Sequence, residues 1–187
     1  MAESFNILVK DLKGEVGKTL VFRNVKGRTI VARSPRPSKS APSVAQAKQR
    51  DLFKEAVRYA RQVMKNPTQK ALYEASPQVK SGEQTVFTVA VADYLNKPKV
   101  NKIDASGYKG GTGDKIRLLI LDDFSVRSVK VSIHDSSRAL IEEGEAVQDG
   151  MQYVYTATTV NSSVTGNIIT VRVTDTPGNV TEQQHTL

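Results

Sequence analysis

The stretch VRVTDTPGNVTEQQ, residues 171–184, sets the fold class. Val171 and Val173 alternate with polar residues, which is the period of a strand with one buried face. Turn chemistry follows: the Asp175 carboxylate can cap the turn, Pro177 fixes φ, and Gly178-Asn179 tolerate positive φ. Upstream lie KIRLLIL (115–121), VRSVKVSI (126–133), ALIEEGEA (139–146), MQYVYTAT (151–158) and NIITVRVT (167–174), and VTEQQHTL (180–187) closes the series. Short strands at this spacing, parted by Gly, Asp, Asn and Ser clusters, predict an all-β sandwich. Four inward sets are expected: Ile116, Leu118 and Ile120; Val129, Val131 and Ile133; Met151, Tyr153 and Tyr155; Ile169, Val171 and Val173.

Before Val100 the texture is different. Leu52, Phe53, Ala56, Val57, Ala60, Val63 and Met64 recur at helical spacing, with Ser43 and Gln46 as a capping box ahead of them. Lys48, Arg50, Lys54, Arg58, Arg61 and Lys65 cover the rest of that helix. Asn66-Pro67 opens a short second helix through TQKALYEA. Ser81 and Gln84 repeat the capping pattern before TVFTVAVADYLN, whose Phe87, Val91, Tyr94 and Leu95 predict a helical stripe ending before Pro98. Earlier still, TLVFRNVKGRTIVARS predicts a hairpin with Lys26-Gly27 at its turn and Leu20, Phe22, Ile30 and Ala32 on one face. Pro35, Pro37 and Pro42 make the next segment an extended connector. The expected fold is α+β in two parts, an N-terminal hairpin with short helices and a C-terminal all-β sandwich. Its boundaries are 1–42 for the basic hairpin and connector, 43–97 for the helical region and 100–187 for the sandwich.

The 187 residues contain no cysteine. Disulfides, iron–sulfur clusters, thiolate zinc sites and cysteine nucleophiles are excluded together. The apolar runs fall short of the roughly 20 residues that span a bilayer, and the first residues lack the apolar core of a secretion signal. The formal charge of +8 is unevenly spread. Residues 1–80 hold 17 Lys/Arg against 6 Asp/Glu, a net of +11, whereas residues 81–187 hold 10 against 13, a net of −3. The basic half therefore points to an anionic partner, either nucleic acid or an acidic protein surface, against the plain alternative of a solvated basic face.

Two family resemblances rest on these residues. GTGDKIRLLILDDFSVRSVKVSI, GEAVQDGMQYVYTAT and GNIITVRVTDTPGN, taken in order, resemble bacterial immunoglobulin-like domains. Gly113-Asp114, Asp122-Asp123 and Asp175-Gly178-Asn179 occupy that family's turn positions, and the match covers about residues 100–187. The first half resembles small proteins of phages, prophages and phage-tail-like particles, through Arg33, Pro35, Gln46, Arg50, Phe53 and Ala56. Together these imply a non-enzymatic structural, accessory or cargo component of a virion or phage-like particle, made in the bacterial cytoplasm. It would dock on protein subunits and display an interaction module, with homo-oligomerisation a further option.

Sites for chemistry are sparse. GYKGGTGDK (107–115) opens a strand rather than a helix, so it reads as a turn and not a phosphate loop. Asp122, Asp123, Asp135 and Asp175 are weighed as calcium ligands, but no D-x-D-x-D-G spacing is present. Glu142, Glu143 and Glu145 read as a solvated hairpin loop, and His134 and His185 have no metal-ligand context. No catalytic, cofactor or metal residue is assigned, and no cofactor is expected. The candidate partner-binding residues are Arg23, Lys26, Arg28, Arg33, Arg36, Lys39, Lys48 and Arg50. Three functions remain open: the particle component, a nucleic-acid-binding accessory protein using the basic arm, and a cell-surface adhesion module.

Overall fold

A computed structural model describes residues 2–4, 9–25, 27–35 and 41–187. The chain divides into two compact units, 1–44 and 45–187, so the helices share a unit with the C-terminal strands.

The first unit is a four-stranded antiparallel sheet in the order β1-β4-β3-β2, from β1 (Ala2–Ser4), β2 (Gly14–Val16), β3 (Leu20–Val25) and β4 (Arg28–Arg33). The expected hairpin is its centre. Val25 pairs with Arg28, and Gly27 takes φ of 76°, as a two-residue loop requires. Lys26 lies outside the described residues. The expected face is corrected, however. A two-residue loop puts Phe22 opposite Val31 and Arg23 opposite Ile30, so even positions of β3 share a face with odd positions of β4. Leu20 and Phe22 therefore face one way, Ile30 and Ala32 the other.

The second unit begins with α1 (Val44–Lys65), α2 (Pro67–Glu74), α3 (Pro77–Lys80) and α4 (Val86–Leu95). Asn66 caps α2 as its side chain accepts from the amides of Thr68 and Gln69. The cap of α4 is Thr85, which accepts from the Thr88 amide, rather than the expected Ser81. The buried stripe of α4 is Val86, Val89, Ala90 and Asp93, one step round from the expected Phe87, Val91, Tyr94 and Leu95. An aspartate among core positions hides the true register from a hydrophobicity reading. On α1 only the second half is covered: Ala56, Ala60 and Val63 are buried, while Leu52 and Phe53 remain 38% and 51% exposed.

Eight strands follow: β5 (Lys99–Asp104), β6 (Lys115–Leu121), β7 (Val126–His134), β8 (Leu140–Glu145), β9 (Val147–Asp149), β10 (Gln152–Thr156), β11 (Ile168–Asp175) and β12 (Val180–Thr186). They form two four-stranded sheets, β5-β6-β10-β9 and β12-β11-β7-β8, and every pairing is antiparallel. One apolar cluster joins their inner faces into a β-sandwich. Ile116, Leu118, Val129, Val131, Ile133, Ile169, Val171 and Val173 are each at most 1% exposed, in the inward registers expected. Met151 is the exception at 87% exposure, because the turn between β9 and β10 carries it outside.

The acidic run of residues 142–145 is strand, not loop. Alternation turns Glu142 inward, where it accepts from the amides of Thr158 and Thr159, and Glu143 outward to Lys130. GYKGGTGDK is a closed loop: the Asp114 carboxylate accepts from the amides of Lys109 (2.7 Å) and Gly111 (2.8 Å).

A second cluster fixes the helices to one end of the sandwich. Phe124, in the turn after β6, stacks on Tyr73 with ring centroids 4.2 Å apart, among Ala60, Val63, Val86, Val89 and Ala90. Thr181 donates to the Pro98 carbonyl at 2.7 Å, and Asn96 donates to Asp123 at 2.5 Å.

Candidate functional site

Within each unit, the described basic residues of the sequence reading fall on more than one face. Arg23, Arg28 and Arg33 are all exposed, but Arg23 and Arg28 share one face of the small sheet and Arg33 takes the other, opposite Leu20. Lys26, Arg36 and Lys39 lie outside the described residues. Lys48 and Arg50 are exposed on α1, in the second unit, two residues apart and so on opposite sides of the helix. Arg50 belongs instead to a row with Lys54, Arg58, Arg61 and Lys65, all exposed. At 3.6 residues per turn these five fall within an arc of about 80°, over about 22 Å of helix. That arc is opposite Ala56, Ala60 and Val63. The spacing was legible in the sequence, but it becomes a stripe only once the buried face is known.

The most unusual chemistry sits where the helices meet the sandwich. Asp93, Asp122 and Asp175 bring carboxylate oxygens to within 4.8 Å of one another. Each ends a buried series. Asp122 continues the inward positions Ile116, Leu118 and Ile120 of β6, and Asp175 continues Ile169, Val171 and Val173 of β11. Asp93 completes the buried stripe of α4. Both Asp93 and Asp175 are 0% exposed.

The three side chains are held differently. Asp175 Oδ1 accepts from the amides of Gly178 (2.8 Å) and Asn179 (2.6 Å), and its Oδ2 accepts from Asn179 Nδ2 (2.8 Å). The expected turn is thus present, with positive φ at Gly178 alone. The same Asn179 Nδ2 also lies 3.2 Å from the Tyr94 carbonyl oxygen, tying the turn to the end of α4. Asp93 Oδ2 accepts from the Tyr73 hydroxyl at 2.5 Å, and because that hydroxyl donates to Asp93, Tyr59 is the donor in the 2.8 Å contact behind it. Asp93 Oδ1 and both oxygens of Asp122 are shielded from solvent with no hydrogen-bond partner. A cleft of about 260 Å³ is lined by Gln78, Gln84, Val89, Ala92, Asp93, Asp123 and Phe124.

Of the four aspartates weighed from sequence, Asp122 and Asp175 meet here and Asp123 stands beside them. Asp135 lies beyond the far end of β7, where it caps its own turn through Ser137 and Ala139. The sequence reading missed Asp93. His134 and His185 pair with successive residues of β11, Ile168 and Ile169, and so face opposite sides of the sheet.

No protein-family model matches the chain, and no curated protein matches it. Among solved structures, CopC from Methylosinus trichosporium OB3b is 20% identical, with a TM-score of 0.32, over 40% of this chain and 74% of that one. An engineered protein is 13% identical, with a TM-score of 0.36, over 59% of this chain and 27% of that one. The N-terminal part of the bacterial S-layer protein SbsC is 17% identical, with a TM-score of 0.32, over 76% of this chain and 41% of that one. Likenesses this weak assign neither a family nor an activity. Among the described residues, no helix is long and apolar enough to cross a membrane.

Electrostatics set the cluster apart. Burial first, then the charges of Asp122, Asp175 and Asp123, push the Asp93 carboxyl up to about 7 from an ordinary 3.8, against the opposing Tyr73 hydrogen bond. Burial and then Asp175 also raise Asp122, partly offset by the nearby amides of Asp123 and Ser125, neither of which closes a bond of good geometry. Burial raises the Tyr73 and Tyr59 hydroxyls as well, so both stay neutral donors. A carboxyl raised in the folded state holds a proton that the unfolded chain has lost, so its contribution is full below about pH 4 and is lost as pH rises through about 7. In the presence of chelator, stability is therefore expected to fall between about pH 4 and about pH 7, by up to about 4 kcal/mol from Asp93 alone. Asp93→Asn should flatten that slope in urea titrations. An unchanged slope in the variant would assign the pH dependence to other groups.

Proposed function

We propose that the protein is a non-enzymatic structural or accessory component of a phage or phage-tail-like particle. It docks through basic surface and displays an immunoglobulin-like interaction module. The observation that carries docking is the row Arg50, Lys54, Arg58, Arg61 and Lys65, which projects from α1 on the side away from its packed face. Cations spread along about 22 Å of rigid helix suit an elongated anionic surface better than a small ligand. The sandwich half of the reading is supported by strand order. Sheets β5-β6-β10-β9 and β12-β11-β7-β8 follow the A-B-E-D and G-F-C arrangement of immunoglobulin-like folds, with β8 added beside the C position. The particle itself comes from the resemblance of the first half to phage and prophage proteins.

Replacing Arg50, Arg58 and Arg61 with Glu in the full chain tests the docking. Exposed substitutions of this kind leave stability within about 0.5 kcal/mol, so the melt should be unchanged while incorporation into purified particles is lost. Incorporation at the parent level would remove α1 from the docking surface. Retention on DNA that the parent loses steeply with rising salt, and that the variant lacks, would favour the nucleic-acid-binding reading instead.

A further inference from the structure

We propose that Asp93, Asp122 and Asp175 bind one hard divalent cation, calcium by class, which locks α4 and the turn after β11 onto the end of the sandwich. Two oxygens on one calcium ion can be no more than about 4.8 Å apart, twice a bond of about 2.4 Å. The three carboxylates already satisfy that limit. The donor set is all oxygen, which selects calcium-like cations over zinc or copper.

The second, independent sign is the unmet hydrogen bonding. Asp93 is 0% exposed, and its Oδ1 has no partner; both Asp122 oxygens are shielded and equally without one. Buried carboxylate oxygens left this way cost stability unless something coordinates them. Among the described residues, no lysine or arginine pairs with any of the three.

The surroundings aim the ligands. The Tyr59–Tyr73 relay holds Asp93 Oδ2 and leaves Oδ1 available. The amides of Gly178 and Asn179, with Asn179 Nδ2, fix the Asp175 carboxylate as outer partners of a metal ligand do. Three carboxylates leave places in a shell of six to eight for carbonyls and water. Asp93 lines one cleft and Asp122 a second.

The test uses the full chain freed of metal by chelator. Terbium emission excited through tyrosine reports the site directly, since Tyr73 touches a ligand. Calcium should displace terbium, and calcium chloride should raise the melting temperature by several degrees over chelator. Asp93→Asn and Asp122→Asn each remove a repelling carboxylate. Both should therefore melt in chelator no lower than the parent while binding calcium at least tenfold more weakly. Asp122 is the less buried, so its variant preserves the test if Asp93→Asn fails to fold. Asp135→Asn should keep the full response. The proposal is overturned if millimolar calcium neither displaces terbium nor shifts the melt, or if both cluster variants respond like the parent.

Discussion

Val171→Asp should abolish the cooperative melt of the sandwich. Val171 is 0% exposed at the centre of β11, paired with Val131 on one side and Gln183 on the other. Its inward neighbours along the strand are Ile169 and Val173, also fully buried. A carboxylate there meets no donor, and burying it uncompensated costs several kcal/mol, on the scale of the whole stability of an ordinary domain. The expected loss is about 4 kcal/mol or more, read as a missing or strongly shifted transition in thermal and urea melts. Gln183→Asp is the control. It places the same charge on the adjacent exposed strand and should stay within about 0.5 kcal/mol of the parent. Parent-like melting of Val171→Asp would mean that β11 does not present this face to the core.

The next largest effect is expected at Gly110. Its φ is +90°, and a Cβ added there would sit 2.1 Å from the Asn161 carbonyl oxygen and 2.9 Å from Val164 Cγ2. The two backbones are this close because the Asn161 amide donates to the Gly110 carbonyl at 2.8 Å. Nearby, the Tyr108 hydroxyl accepts from the Asn161 side chain at 3.0 Å. Gly110→Ala therefore adds a backbone collision to an unfavourable φ, and should cost about 3 kcal/mol or more. Gly113 separates the two effects. It has nearly the same φ, +92°, but nothing within 4 Å of its added Cβ. Gly113→Ala should cost only about 1–2 kcal/mol of left-handed strain. Equal urea midpoints for the two variants would show that the contact with Asn161 opens without cost.

The strand half of the fold was legible because its physics is local. Period-two alternation in residues 116–120, 129–133 and 169–173 fixes both strand and register, and the turns between them carry their own chemistry. The helices were legible as helices but not as packed objects. The α4 stripe was misplaced by one step because Asp93 occupies a position where hydrophobicity scoring expects an aliphatic. The hairpin face was misjudged for another reason, since which positions oppose one another depends on loop length, not on composition.

The candidate site was half visible. Asp122 and Asp175 stand out as turn residues, a role that explains them without any cluster. Their inward parity is the stronger signal, because both extend a run of buried alternate positions past the strand end. Asp93 could not be joined to them from sequence alone. Its partners lie 29 and 82 residues further along, and only the docking of α4 brings them together.

The bond from Asn179 to the α4 carbonyls also has a consequence for synthesis. It spans 85 residues, and the Tyr94 end leaves the ribosome first. At elongation rates of about 5–20 residues per second, α4 waits on the order of ten seconds for its partner. During that interval Val86, Val89 and Ala90 can already pack on α1 and α2, but Asp93 lacks Asp175 and the Tyr94 end of α4 lacks Asn179. A nascent chain stalled before β11 should therefore leave the Tyr94 end of α4 more open to proteases than the finished chain does, and release from the stall should close that window.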